Sequence, residues 1–183
     1  MNASKKILVT GGIKSGKSRF ALERAMETSG EKIFLATAQA VDEVMKRKIA
    51  NHREERALSF NTIEEPLYLA RALDSLKGEP ELILIDCLTV WIGNLFHHFN
   101  DIDQIREQKR LFLNTLQSIN ANIIIVTNEV GLGVTPDNQL SRTYIDELGL
   151  LNQEVAGLCH EVIMVISGLP QVIKGGNTYA NME

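Results

Sequence analysis

An octapeptide near the start of the chain limits the possible folds more than any other feature. It reads G-x-x-x-x-G-K-S, directly follows the apolar run Ile7–Thr10, and consists of Gly11, Gly12, Ile13, Lys14, Ser15, Gly16, Lys17 and Ser18. The glycines allow the backbone to turn its N–H groups inward, as a loop around phosphate groups requires. In such a loop the lysine supplies a point charge and the final serine supplies a hydroxyl group for Mg²⁺.

The residues after the octapeptide are predicted to form the helix that follows a phosphate-binding loop. Ser18 to Met26 show the helical spacing of apolar residues, so the positive end of a helix dipole should point at the same phosphates. A glycine-rich turn without a ligand is the alternative, and the Gly-Lys-Ser ending between a strand and a helix disfavours it. The motif therefore predicts a phosphate-binding loop for a nucleoside triphosphate.

Short apolar runs alternate with longer helical patterns along the chain. Strands are predicted at Ile7–Thr10, Ile33–Thr37, Leu82–Asp86, Ile123–Thr127 and Val162–Ile166, and helices at about 18–29, 41–57, 67–77, 88–99, 103–119 and 141–159. Strands that are apolar on both faces are typical of a sheet covered on both sides. The pattern predicts an α/β fold of the P-loop NTPase class, with a RecA-like, doubly wound, mostly parallel sheet flanked by helices.

Length and charge limit the organisation and the partners. A single catalytic domain is predicted over residues 1–174, and residues 175–183 are predicted to be a disordered tail. The net charge is −4 with basic and acidic residues mixed, which argues against nucleic acid as a partner. The apolar runs are strand-sized, so we expect no membrane span, and we expect a cytoplasmic protein. Cys87 and Cys159 lack metal-ligand spacing, which argues against structural zinc.

Two acidic residues follow predicted strands. Asp86 ends the run Leu82–Asp86 in the manner of a carboxylate that orders Mg²⁺ together with Ser18, and a helix N-cap before Leu88 is the alternative. Glu129 follows the fourth run, where turn chemistry explains the neighbouring Asn128 equally well. We therefore predict Asp86 as a metal residue and leave Glu129 open.

The predicted helix 41–57 carries an unusual concentration of basic side chains. Lys48, His52 and Arg56 fall on one face at i, i+4 and i+8, and acidic residues are interleaved with them. On pattern alone, a solvated helix with ordinary ion pairs is favoured over a functional histidine.

Seven short segments together carry a resemblance to a known family. In chain order they are Gly11-Gly12-x-x-Ser15-Gly16-Lys17-Ser18, Ala36-Thr37-Ala38, Ile49-x-x-His52-x-x-x-Arg56, Thr62-x-Glu64-x-Pro66, Asp86-Cys87-Leu88-Thr89-x-Trp91-x-x-Asn94, Thr127-Asn128-Glu129-Val130-Gly131-x-Gly133 and Ser167-Gly168-Leu169-Pro170. The chain resembles the bifunctional adenosylcobinamide kinase / adenosylcobinamide-phosphate guanylyltransferases of cobalamin biosynthesis. The resemblance extends to Lys174, and only the phosphate-binding loop within it is generic.

The resemblance implies two reactions at one site and a role for each segment. ATP or GTP phosphorylates adenosylcobinamide, and GTP then donates GMP to the phosphate through a guanylylated histidine, here His52. Lys17 would assist both reactions, Arg53 and Arg56 would neutralise phosphate charge, and Ala36, Thr37 and Ala38 would bind nucleotide. The implied cofactor is Mg²⁺, and the implied assembly is a homotrimer.

Alternatives remain for the base-reading residue and for the function. Glu64 is a candidate reader of guanine, since a carboxylate matches the adjacent donors of that base, although it is equally explained as a polar residue before a helix that starts near Pro66. Another P-loop kinase of small molecules or nucleotides would lack the reactive histidine. A RecA-like nucleic-acid-binding ATPase would need the basic surface that the charge balance disfavours.

Overall fold

A seven-stranded sheet forms the centre of the molecule in the computed structural model, which describes residues 4–38, 60–76 and 80–175. The strands are β1 (Lys6–Gly11), β2 (Lys32–Ala36), β3 (Asn61–Glu64), β4 (Leu82–Asp86), β5 (Asn122–Val126), β6 (Glu161–Ile166) and β7 (Leu169–Lys174). Their order in space is β3-β2-β4-β5-β1-β6-β7. All neighbouring pairs are parallel except β6 and β7, which form an antiparallel hairpin at one edge.

Helices cover both faces of this sheet. They are α1 (Lys17–Met26), α2 (Leu69–Ser75), α3 (Leu88–His98), α4 (Ile102–Ser118) and α5 (Gln139–Leu158), with a 3₁₀ turn at Val130–Leu132. Ile7 and Val9 pack on the α1 side, whereas Leu8 packs on the side of the other four helices, as the alternation of a strand requires. Trp91 and Phe112, with ring centroids 5.2 Å apart, fill the larger of the two cores.

Local caps and apolar stripes explain where the long helices lie. The Asp101 carboxylate accepts a hydrogen bond from the Asp103 amide at the start of α4, and the Asn138 side chain accepts one from the Ser141 amide at the start of α5. Leu148, Leu151 and Val155 then form one buried stripe of α5. The stripe fixes which face of α5 meets the sheet.

The predicted fold class is confirmed, and the five predicted strands agree with β1, β2, β4, β5 and β6 to within one residue at each end. Two further strands were not predicted. β3 is a short, largely exposed edge strand of sequence Asn-Thr-Ile-Glu, and β7 is an exposed edge strand that contains Pro170, so neither has the apolar run of an interior strand. The predicted helix 41–57 and residues 176–183 of the predicted tail lie outside the described residues.

The parallel strands bring several predicted site residues to one edge of the sheet. Ala36 is in register with both Glu64 and Asp86, and Asp86 is in register with Val126. Gly11 ends β1 at the same edge. Ligands of open α/β sheets bind at the carboxyl ends of the strands, so this edge is where the candidate site lies. None of the helices in the described ranges is long and apolar enough to cross a membrane.

Candidate functional site

The octapeptide forms a tight loop between β1 and α1, and two of its glycines are sterically required. Gly11 has φ 148°, and a Cβ atom there would lie 2.4 Å from the Val165 carbonyl oxygen. Gly16 has φ 98°, and its added Cβ would lie 3.3 Å from the Cα atom of Gly168. Positive φ and close backbone packing both exclude side chains, so the conformation of the loop depends on glycine at these two positions.

The tip of the β6–β7 hairpin supports the loop from the other side. The Gly168 N–H donates a hydrogen bond of 2.8 Å to the Ser15 carbonyl oxygen. The hydroxyl oxygen of Ser15 is buried and has no hydrogen-bond partner among the described residues. A buried hydroxyl group without a partner is costly, and a phosphate oxygen inside the loop would satisfy it.

Lys17 is the first residue of α1 and is only 8% exposed. Its ammonium group donates a hydrogen bond of 2.9 Å to the Gly12 carbonyl oxygen, which holds the charge against the loop. Burial lowers the pKa of Lys17, and electrostatic interactions with the neighbouring Cys87 and Asp86 partly oppose this shift. The N-cap residue of α1 is Gly16, which makes no side-chain capping bond, so the helix N-terminus remains available to an anion.

Asp86 and Ser18 form the candidate metal pair. The Ser18 hydroxyl donates to the Asp86 carboxylate over 3.5 Å, across the space between α1 and the end of β4. Mg²⁺ prefers oxygen ligands and is held by one or two protein groups together with water and substrate phosphates, so this pair fits the ion. The described residues contain no group of three or more acidic, histidine or cysteine side chains that would form a separate metal site.

The residues next to Asp86 are structural in character. Burial and the neighbouring Asp86 raise the pKa of the Cys87 thiol to about 11, so it is neutral near pH 7 and is not an activated nucleophile. The Thr37 hydroxyl donates to the Cys87 carbonyl oxygen over 2.9 Å and accepts from the Cys87 amide over 2.8 Å. Thr37 thereby joins the ends of β2 and β4. Nucleotide binding by Ala36, Thr37 and Ala38 stays a prediction.

The other predicted residues lie farther along the edge or outside the described part. Glu64 ends β3, four strand spacings from β1, which is about 19 Å at roughly 4.8 Å per spacing. A nucleotide would have to extend along the strand ends to bring its base near Glu64. His52, Arg53 and Arg56 fall in residues 39–59, outside the described residues.

A hydrogen-bonded cluster beside the loop was not predicted as a unit. The Thr10 hydroxyl donates to the Glu129 carboxylate over 2.7 Å, and the Asn152 amide donates to the same oxygen over 3.5 Å and to the Asn128 carbonyl oxygen over 3.0 Å. The Thr127 hydroxyl donates to the Asn152 side-chain oxygen over 2.8 Å. Glu129, which the sequence left open, is therefore held in one orientation by its neighbours.

The sequence contains a signal for this cluster. Asn152 is 6% exposed and occupies a position beside the apolar stripe of α5, where a polar side chain needs a buried partner. Thr10 is likewise a polar residue inside an otherwise apolar run, directly before the glycine-rich loop. Neither residue identifies its partner, because the partners lie on other elements.

A cavity of about 900 Å³ opens beside this cluster. Its walls are the irregular segment 129–136 and one face of α5, and both Glu129 and Asn152 line it. Arg142 on α5 donates hydrogen bonds to the carbonyl oxygens of Pro136 (3.1 Å) and Asp137 (2.5 Å), which ties the segment to the helix. The cavity thus reaches from the surface to the carboxyl end of β5.

Comparison with known proteins identifies similar sequences over most of the chain. Residues 7–173 match the family described as cobinamide kinase / cobinamide phosphate guanyltransferase, CobU. The bifunctional adenosylcobalamin biosynthesis protein CobP of Pseudomonas aeruginosa is 42% identical over 168 residues, which are 92% of this chain and 96% of that protein. The corresponding CobU protein of Escherichia coli is 34% identical over 180 residues, covering 92% of this chain and 99% of that protein.

Solved structures support the fold. A KaiC-like protein, PH0186, from Pyrococcus horikoshii matches with a TM-score of 0.51 at 19% identity, covering 88% of this chain and 71% of that chain. A second Pyrococcus horikoshii structure, PH0250, matches with a TM-score of 0.58 at 6% identity, covering 97% of this chain and 90% of that chain. At these identities the likeness concerns the fold alone, and it agrees with the RecA-like architecture predicted from the sequence.

Proposed function

Because this chain belongs to the cobinamide kinase / cobinamide phosphate guanyltransferase family, we propose that it carries out both reactions of that family at one nucleotide site. The chain is a transferase. In the first reaction the terminal hydroxyl group of adenosylcobinamide takes the γ-phosphoryl group of ATP or GTP. In the second, GTP donates GMP to that phosphate, which gives adenosyl-GDP-cobinamide and pyrophosphate.

The observation that carries this proposal is the shape of the loop at residues 11–18. The loop brings the unpartnered Ser15 hydroxyl group, the Lys17 ammonium group and the N-terminus of α1 together within three consecutive residues. The negatively charged phosphates of a nucleoside triphosphate would interact favourably with all three groups. One loop can serve both reactions, because ATP and GTP carry the same triphosphate. Ser18 and Asp86 would hold Mg²⁺, which when bound neutralises charge on the phosphate oxygens.

His52 is the proposed nucleophile of the second reaction. Its imidazole nitrogen would attack the α-phosphorus of GTP, forming an N–P bond while the bond to pyrophosphate breaks. A phosphate oxygen of adenosylcobinamide phosphate would then attack the same phosphorus and release the histidine. Arg53 and Arg56, its neighbours in sequence, would neutralise charge on the α-phosphate and on the departing pyrophosphate.

Labelling with GTP carrying radioactive phosphorus at the α position tests this step. We expect acid-labile, base-stable label on the wild-type protein and none on His52→Ala, whereas phosphoryl transfer to adenosylcobinamide persists in that variant because kinases transfer directly. His98→Ala, which removes an exposed histidine at the end of α3, is the matched control and should label normally. Undiminished labelling of His52→Ala would exclude the assignment. A wild-type protein that phosphorylates the corrinoid without ever becoming labelled would be a kinase alone.

Glu64 is the proposed reader of guanine. The N1–H and the amino group of guanine are neighbouring donors, and a carboxylate accepts from both. Glu64→Gln should cost about 1.5–3 kcal/mol of GTP affinity, the usual range for a hydrogen bond to a charged group, and should change ATP affinity little. Equilibrium binding of both nucleotides measures the difference. Equal losses for GTP and ATP would assign Glu64 a structural role.

The assembly and the location of the enzyme are also proposed. The resemblance to the family suggests a homotrimer, and light scattering coupled to size-exclusion chromatography would give the mass directly. A cytoplasmic location is proposed because ATP and GTP, the phosphoryl and guanylyl donors of the two reactions, are supplied there.

A further inference from the structure

On the premise of the two reactions proposed above, we infer that the cavity between segment 129–136 and α5 is the acceptor subsite for the corrinoid, and that Glu129 takes the proton of its attacking hydroxyl group. The phosphate-binding loop accounts for the nucleotide but leaves this cavity without an occupant. Its lining, its position and the orientation of Glu129 all fit the second substrate of a phosphoryl transfer.

The cavity lies beside the phosphate-binding loop, because Glu129 in its wall is hydrogen-bonded to the loop and to the residue before it. The Glu129 N–H donates a hydrogen bond of 3.2 Å to the carbonyl oxygen of Gly11, the first residue of the loop. The Glu129 carboxylate is bonded to Thr10, the residue just before it. β5, which leads into Glu129, lies between β1 with its loop and β4 with Asp86. A molecule in this cavity therefore has direct access to phosphates held by the loop and by the metal pair.

The lining of the cavity suits a large amphipathic ligand. A volume of about 900 Å³ is at the upper end for small-molecule sites. Val134 and Leu150 line it with 95% and 52% of their surfaces exposed, so a ligand that covered them would remove apolar area from water. Arg142, Thr143 and Gln153 add hydrogen-bonding groups to the same walls. A corrinoid presents both kinds of surface, since methyl groups and amide side chains surround its macrocycle.

The chemistry of the first reaction assigns the role of Glu129. As the acceptor oxygen forms a bond to the γ-phosphorus, its proton passes to the Glu129 carboxylate, and the bond from the γ-phosphorus to the bridging oxygen breaks to release a nucleoside diphosphate. Thr10 and Asn152 donate to one carboxylate oxygen and so orient the group. In the second reaction the attacking group is a phosphate oxygen that is already deprotonated, so no base is needed.

Two glycines of α5 provide a matched test of the subsite. Gly149 lines the cavity, whereas Gly157 lies two turns later on the same helix and does not. A Cβ atom at either glycine would meet no atom within 4 Å, so both tolerate a side chain. We expect Gly149→Leu to raise at least tenfold both the KM for adenosylcobinamide in the first reaction and the KM for adenosylcobinamide phosphate in the second. Protein labelling by GTP should be unchanged, and Gly157→Leu should match the wild type. Equal KM values for the two variants would overturn the assignment of this cavity as the acceptor subsite.

Glu129→Gln tests the base, because glutamine keeps an oxygen that accepts from Thr10 but cannot take a proton. We expect its rate of adenosylcobinamide phosphorylation to fall about 10²- to 10⁴-fold, the usual contribution of a general base. Guanylyl transfer to adenosylcobinamide phosphate supplied directly should fall much less, because that step needs no base. Unchanged phosphorylation, or an equal loss in both reactions, would overturn the role of Glu129. A wild-type protein that phosphorylates no corrinoid would instead refute the proposed function itself.

Discussion

The phosphate-binding half and the proposed acceptor half of the site are built in different ways. The phosphate half consists of eight consecutive residues, whose backbone N–H groups and Ser15 and Lys17 side chains are the proposed binding groups, and its shape depends on glycine conformation at Gly11 and Gly16. The acceptor half is assembled from side chains of β1, the end of β5 and α5, and the Thr10–Glu129 hydrogen bond joins residues 119 positions apart. The fold of the first half is therefore sensitive to side-chain atoms added at its glycines, and the fold of the second to the loss of polar partners.

The two halves also differ in what keeps them in place. The loop is held mainly by backbone bonds, from Gly168 in the β6–β7 hairpin to Ser15 and from Glu129 to Gly11, and by close glycine contacts. The acceptor half is held by a network in which Asn152 bonds to Thr127, Asn128 and Glu129 at once. Removing one member of such a network leaves its buried partners unsatisfied, which costs free energy. Substitutions in the two halves should therefore have separable effects.

The largest expected effect comes from Lys17→Ala. Without its ammonium group the loop loses the charge that faces the phosphates, and both reactions should slow by roughly 10²- to 10³-fold, as for the loss of a preorganised donor. Steady-state rates with each corrinoid substrate measure this. Arg19→Ala in the same helix is the control, since its exposed pair with Glu23 contributes little. Normal guanylylation of His52 in Lys17→Ala would require a second nucleotide site.

An intermediate effect is expected from an added methyl group at Gly11. Gly11→Ala combines a positive φ with a contact of 2.4 Å to the Val165 carbonyl oxygen, and it should lower the free energy of unfolding by about 3 kcal/mol. Gly12→Ala is the matched control for stability, because a Cβ there meets nothing within 4 Å. Urea unfolding compares the two variants. Similar unfolding free energies for Gly11→Ala and Gly12→Ala would show that the loop backbone can shift to accommodate a methyl group at position 11.

The smallest effect is expected in the acceptor half. Asn152→Leu removes the partner of the Thr127 hydroxyl and of the Asn128 carbonyl oxygen, and it should cost about 1–2 kcal/mol of unfolding free energy. Nucleotide affinity should stay near that of the wild type, because the loop itself is unchanged. Urea unfolding and nucleotide binding together measure both quantities. A loss of nucleotide affinity as large as the loss of stability would show that the two halves are one cooperative unit.

The same contrast explains what could be predicted from the sequence. The loop was predictable because its requirements are local: a strand, glycines at fixed spacing and a helix. The interior strands were predictable because burial on both faces leaves apolar runs such as Ile123–Val126. The edge strands β3 and β7 lack such runs, and their pairing depends on tertiary neighbours. Glu129 could not be assigned because Thr10 and Asn152, which orient it, reach it only through the fold.

The place of β1 in the sheet has a consequence for synthesis of the protein. β1 precedes every other strand in the chain, but its two neighbours in the sheet are β5 and β6, which end at Val126 and Ile166. A ribosome adds about 5–20 residues per second, so roughly 8–30 seconds pass between the synthesis of β1 and that of the last residue of β6. The hairpin tip that supports the loop follows β6. The phosphate-binding loop can therefore reach its folded conformation only after almost all of the domain has been synthesised.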